Sequence, residues 1–250
     1  YDAEGNPLGD FVDWTVCGGL TAFDFDRNGD MWAVARMGAV NEPENWDFEL
    51  RHYALLEDHP WYELVPEDTV LLNDVAMTGP IGTQGIGDLG ISFFLHRLFI
   101  LSANHGDGGS NRLTAWDLNQ SPPVLAADRQ NPFPPLCRKH IFNNGAYTRL
   151  NVDVDHRFPE DPYEQCRVYA YASIWTYGPP GQGLDMSVIR LDADLNLLDE
   201  GEVWHPPFPA CMDYLPQCVI LNDAPGGNGN LVGCGWHNHS FYEWPVPSDW

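Results

Sequence analysis

Four times along the chain an apolar, strand-like run, a short polar turn and a second apolar run follow one another. The pairs are LTAFDFD with MWAVARM, LGISFFL with RLFILSA, TRLNVDV with CRVYAYASI, and PQCVILN with NLVGCGW. Such self-similarity limits the fold strongly, because a unit this small cannot bury its own apolar face and has to stack on its neighbour. With Trp32, Leu98, Val168 and Leu231 taken as equivalent second-strand positions, the spacings are 66, 70 and 63 residues, and each interval has room for two more strands. Third strands read as DFELRHYAL, NRLTAWDLN, LDMSVIRLDA and SFYEWPV, and fourth strands as WYELVPE, PVLAADR and LLDEGEVW. The last unit therefore stops at three, while FVDWTVC, residues 11–17, is a strand left over at the other end. The 24 Gly and 21 Pro are scattered throughout. No window keeps an i, i+3, i+4, i+7 apolar stripe for three turns, so the expected class is all-β.

Three units of four strands, one of three and a spare N-terminal strand resemble the β-propeller superfamily, and the resemblance covers essentially the whole chain. The motifs behind it, DRNGDMWAV and RLTAWDL, mark a propeller blade in general; no blade carries a full WD40, kelch or tachylectin signature. The resemblance implies one domain over residues 1–250, a four-bladed ring. Its blades would lie at about 20–68, 88–130, 147–205 and 217–247, with residues 11–17 closing the last blade against the strand around 241–246. Blades of about 60 residues exceed the usual 40 to 50. A fragment of a five- or six-bladed propeller is the alternative.

Acidic residues outnumber basic ones 36 to 12, for a formal charge of −24. That balance repels nucleic acid and anionic membrane surfaces. No apolar run approaches the 18 residues needed to span a bilayer. Cationic or neutral partners fit better. Six cysteines, Cys17, Cys137, Cys166, Cys211, Cys218 and Cys234, occur without a Cys-x-x-Cys arrangement. They read as disulfides of an oxidising compartment, secreted, at the cell surface or periplasmic. Asn119-Gln-Ser and Asn238-His-Ser are glycosylation sequons, about as many as chance supplies, and Pro122 directly follows the first.

Two motifs invite a chemical reading. GIGDLG, Gly85–Gly90, matches the dinucleotide fingerprint, but that motif needs a helix after it to hold pyrophosphate, and the paired strands ISFFLHRLFIL follow instead. Asp24, Asp26, Asn28 and Asp30 around Gly29 have the alternate spacing of a calcium loop. Ala35 stands where an EF-hand needs its acidic twelfth residue, and the same letters form a hairpin turn whose Asn-Gly accepts positive φ. Both a calcium site at Asp24, Asp26, Asn28 and Asp30 and a plain turn stay open. Asp153 and Asp155 repeat the pattern 129 residues after Asp24 and Asp26, which would let opposite blades share a cation near the ring axis.

The propeller resemblance further implies that the loops from second to third strands and from blade to blade share one face. Those loops hold His105, His140, His205, His237 and His239 with Trp175, Tyr177 and Trp236, a mixture suited to sugars, peptides or a transition metal. On that arrangement Cys211 would bridge to Cys218 and Cys137 to Cys166, leaving Cys17 for Cys234. The expected function is a secreted binding or assembly module for a glycan or protein partner. One alternative is a carbohydrate-active hydrolase or lyase, or a metal-dependent oxidoreductase; no acid spacing singles out a catalytic pair. Another is a filament subunit that exchanges its N-terminal strand with a neighbour.

Overall fold

A computed structural model describes residues 17–38, 46–55, 66–73, 75–77, 84–104, 111–133, 147–157, 167–175, 184–198, 204, 216–223, 227–235 and 241–247. The described residues are all-β, in four antiparallel sheets whose strands follow chain order. The first sheet holds β1 (Cys17–Phe25), β2 (Met31–Met37), β3 (Asp47–Tyr53) and β4 (Asp68–Leu71). The second holds β5 (Gln84–Ser92), β6 (Arg97–Asn104), β7 (Asn111–Asp117) and β8 (Val124–Gln130). β9 (Tyr147–Val154), β10 (Val168–Trp175) and β11 (Leu184–Leu191) make the third. The fourth comprises β12 (Pro216–Leu221), β13 (Leu231–Gly235) and β14 (Phe241–Trp244).

Burial follows position in each sheet. β2 is buried on both faces over Met31–Ala35, whereas the outer β8 alternates exposed and half-buried residues along its length. Three apolar seams join consecutive sheets face to face. Trp32, Val34 and Leu50 pack on Ile91, Leu98 and Trp116. Phe99, Leu101 and Leu113 meet Val152, Val168 and Ile189. Tyr169 and Val188 lie against Leu221, Leu231 and Trp244.

The first strands adjoin in chain order, β1 beside β5, β5 beside β9 and β9 beside β12. Their contacts advance together along both chains. Asp24 meets Ile91 and Asp26 meets His96; Asp88 meets Val152 and Ile91 meets His156; Asp153 meets Leu221 and His156 meets Asp223. Neighbouring first strands thus run parallel. All turns from first to second strands leave one end of the sheets, and all links from second to third strands leave the other.

Several boundaries differ from the sequence reading. Phe25, Ile91, Val154 and Leu221 pair with Met31, Leu98, Val168 and Leu231, so the equivalent residue in the first sheet is Met31 rather than Trp32. The segment GIGDLG lies inside β5, and the turn after it begins at Phe93. The fourth strand of the first sheet is Asp68–Leu71 and not WYELVPE. Pro66 has no N–H for a ladder, and pairing starts after it, with the Glu67 N–H donating to His52 O at 2.9 Å. In the third sheet the described residues give Trp204, bridged to Val188, in place of a complete fourth strand. Cys17 opens β1 opposite Met37 and is no part of a closing strand; residues 11–16 lie outside the described residues. Among the described residues no contact like that of β9 with β12 joins β12 back to β1.

Gly90 marks a close approach of backbone to backbone between the second and third sheets. A Cβ there would stand 3.1 Å from Val152 O, against backbone that cannot swing aside. Gly90→Val should therefore push the second and third sheets apart and destabilise the protein by about 2–3 kcal/mol in urea unfolding, while Gly90→Ala costs less.

Candidate functional site

Charged side chains gather at the turn end of the sheets in two groups. The first is the turn from β1 to β2. Asp26 is buried, and its Oδ1 accepts the Asn28 and Asp30 N–H groups at 2.8 and 3.1 Å. Its Oδ2 faces Trp32 Nε1 at 3.3 Å and His96 Nε2, from the second sheet, at 3.4 Å. Asp30 accepts the Leu55 N–H through Oδ1 at 2.8 Å and meets His52 Nε2 through Oδ2 at 3.2 Å. His52 stacks on Trp32 with ring centroids 4.3 Å apart, and its Nδ1 lies 3.3 Å from Glu67. Gly29 supplies the turn's positive φ of 86°.

Of the four residues with calcium-loop spacing, Asp26 and Asp30 come together and are joined by His52, their ligand atoms lying within 4.8 Å of one another. Asn28 gives its N–H to Asp26. Asp24 is turned away toward the second sheet. An imidazole with two carboxylates suits a borderline divalent ion better than calcium. Yet these same oxygens already accept internal N–H groups, so the turn can hold itself. A self-sufficient turn should show the same melting temperature with and without a chelator, while Asp26→Ala should lower stability by about 2 kcal/mol. A chelator-induced fall that Asp26→Ala abolishes would assign a cation to Asp26, Asp30 and His52.

The second group runs along the first strands. Asp24 accepts its own neighbour's N–H, Phe25, through Oδ1 at 2.8 Å, and the Ile91 N–H of the next sheet through Oδ2 at 2.9 Å. Asp153 repeats this with Val154 at 2.8 Å and Leu221 of the next sheet at 2.7 Å. These carboxylates cap edge N–H groups that no strand pairs. Asp24 and Asp153 are each taken up by the neighbouring backbone. In the second sheet the equivalent residue is Gly90, and Asp88 bridges instead, its Oδ2 accepting from Asn151 Nδ2 at 3.1 Å and the Val152 N–H at 3.2 Å.

Burial sets the electrostatics of this row. Desolvation pushes Asp153 up to about 7, outweighing the Leu221 hydrogen bond that pulls the other way, with Asp223 adding to the rise. Desolvation likewise takes Asp88 to about 6 and raises Asp24. His156, after β9, sits among them. Its Nδ1 lies 2.7 Å from Asp223 Oδ2 and its Nε2 2.9 Å from Ile91 O, and the ring stacks on Phe93 at 4.2 Å. Burial opposes its proton, but the Asp223 and Ile91 acceptors and the Asp153 charge raise its pKa above 6.5 overall. Asp223 is half-buried, which opposes its ionisation, yet its hydrogen bonds with His156 hold it below the ordinary carboxylate range.

The loop residues His105, His140, Tyr177, His205, Trp236, His237 and His239 lie outside the described residues, as do Cys137, Cys166 and Cys211. Trp175 ends β10. Cys17, Cys218 and Cys234 fall in β1, β12 and β13, and the register sets Cys218 opposite Cys234. Sequence reasoning missed Asp88, His156, Asp223, His52 and His96. The repeated DFD and DVD letters were the available signal for Asp24 and Asp153; what they bind is backbone, which leaves no letter of its own. No helix among the described residues is long and apolar enough to cross a membrane. No protein-family model matches the chain, and a search of curated proteins returns no match.

Proposed function

We propose that the chain is a four-bladed β-propeller that works outside the cell as a binding or assembly module, taking a glycan or protein partner on the end opposite the Asp26 turn. The observation that carries this reading is the common direction of the four first strands. It sends the strand ends Asn104 and Asn111, Trp175 and Leu184, and Gly235 and Phe241 to one end of their sheets. The segments between those ends contain His105, Tyr177, Trp236, His237 and His239, aromatic and neutral donors of the kind that stack on sugars or seat peptides. At the opposite end the first two sheets turn tightly, between Phe25 and Met31 and between Ser92 and Arg97. The six cysteines support an oxidising, extracellular setting.

Two features favour closure of the row into a ring of four. Phe23 and Phe25 are 55% and 38% exposed, whereas Leu89, Ile91, Val152 and Val154 on the corresponding face of the next two sheets are nearly fully buried by the preceding sheet. The face of the first sheet thus lacks the cover its counterparts have. The edge donors also alternate. The first and third sheets cap their own Phe25 and Val154 N–H groups and those of the sheet after them; the second and fourth carry Gly90 and Ile220 at that position and are capped from before. A sheet with no carboxylate at that position can precede the first sheet, because Asp24 already serves Phe25. The fourth sheet meets that condition, and an odd number of blades would break the alternation.

A glycan microarray probed with the purified protein tests the function. Binding that falls at least about tenfold in Trp236→Ala or Tyr177→Ala, with melting unchanged, is the expected result. Binding that survives both substitutions would contradict it.

A further inference from the structure

His156 touches three sheets at once. It follows β9 of the third, its Nδ1 faces Asp223 beyond β12 of the fourth, and its Nε2 faces Ile91 O of β5 in the second. Both partners are acceptors, so both ring nitrogens have to donate, which only the imidazolium can do. A second partner waits at Nε2: the Phe93 N–H, 3.3 Å away, is a donor and can use that nitrogen only when it carries no proton. The one nitrogen therefore lies between a carbonyl that needs it protonated and an amide that needs it bare.

We infer that His156 is a proton-operated clasp, which when charged ties the second sheet to the fourth through Ile91 O and Asp223, and when neutral releases Ile91 and accepts the Phe93 N–H instead. The proton lost to solvent comes from Nε2, because the Asp223 carboxylate 2.7 Å away keeps the other on Nδ1. The exchange moves the hydrogen bond two residues along the chain, to the first residue of the turn after β5. It loosens the join between nonadjacent sheets without unfolding either one.

The surrounding charges set the direction. His156 is faced by Asp153 from its own strand, by Asp223 from the fourth sheet and by Asp24 from the first, while Asp155 and Arg157, its neighbours in the chain, pair with each other. Phe93 and Phe94 contribute rings and no charge. These three carboxylates favour the imidazolium, and a group whose proton is held more tightly in the folded state gives up its stabilisation as pH rises through the folded value. The clasp is accordingly closed in mild acid and open above neutrality.

Nitrogen chemical shifts of the His156 ring across pH 5 to 9 test this in the unaltered protein. The expected result is a doubly protonated ring at low pH and the Nδ1–H form, with bare Nε2, at high pH; an Nε2–H form at pH 9, or a ring neutral throughout, would overturn the clasp. Amide exchange gives the second readout. Protection at residues 91–93 and 221–223 should fall about tenfold between pH 5.5 and 8 after correction for intrinsic exchange, the scale on which one hydrogen bond from a charged group acts. His156→Phe, which keeps a ring on Phe93 but offers no donor, should show the low value at both pH values. Persistence of the pH dependence in that variant would assign it to the carboxylates and overturn the role of His156.

Discussion

Asp153→Ala should destabilise the protein by about 2–4 kcal/mol at pH 5, measured by urea unfolding. Two buried backbone donors, Val154 N–H and Leu221 N–H, lose their acceptor at once, and the fourth sheet loses the polar tie between its first strand and the third. An unsatisfied buried donor costs about 1–3 kcal/mol. Asp153→Asn is the informative partner, because an amide oxygen still accepts a hydrogen bond but cannot ionise. With one oxygen for the two N–H groups it should recover about half of the loss at pH 5, and its stability should change less than the parent's between pH 5 and pH 8. Asp24→Ala should follow the same pattern through Phe25 and Ile91. If Asp153→Ala unfolded at the parent's urea midpoint, capping of the next sheet would contribute nothing.

The protein should also be markedly more stable at pH 5 than at pH 8. An acid whose folded pKa lies above its unfolded value binds protons more tightly when folded, so its contribution declines as pH rises between the two. For Asp153 that window runs from 3.8 to about 7 and for Asp88 from 3.8 to about 6. At 1.36 kcal/mol per unit, the part of these windows above pH 5 amounts to about 3 kcal/mol for Asp153 and about 1 for Asp88. His156, with its pKa raised, loses stabilisation in the same direction, and the net charge of −24 adds repulsion as acids ionise. Asp223 works the other way, but its pKa is lowered, so its stabilisation is lost only below 3.8. Thermal melting should drop by about 10 °C from pH 5 to pH 8, taking roughly 2–4 °C per kcal/mol for a chain of this size. Asp153→Asn should remove most of that drop. A flat profile would show that these carboxylates are not buried as described.

Much of this architecture was legible in the letters. Strand, turn and strand recur because each sheet begins with a hairpin, and the alternation in DTVL or VLAADRQ reports an outer strand with one face in solvent. Trp32 stands one residue past the position equivalent to Leu98, because the loop Arg27–Gly29, closed by the Asp26 N–H donating to Asp30 O at 2.9 Å, fixes Met31 opposite Phe25. The bridging role of Asp88 was hidden because it stands two residues before Gly90, the position equivalent to Asp24. The Asp26 turn could be recognised from DRNGD, but the arrival of His52 from β3 could not, because cross-strand neighbours are set by register rather than by spacing along the chain. Asp24 and Asp153 were visible as a repeat, but the backbone N–H groups that they accept one sheet away leave no trace in sequence.

Ring closure is the claim on which the rest depends, and distances between outer positions test it most directly. Leu71, Gln130 and Phe241 end or begin strands at the same end of the first, second and fourth sheets, and all three are exposed. Spin labels carried on unnatural side chains leave the six cysteines untouched, and double electron–electron resonance then reads two separations. A closed ring of four makes the first and fourth sheets neighbours, so the Leu71–Phe241 separation should match the Leu71–Gln130 separation in a species of 28.1 kDa. A Leu71–Phe241 distance far longer than Leu71–Gln130, or one that appears only between labelled copies in a larger assembly, would contradict closure.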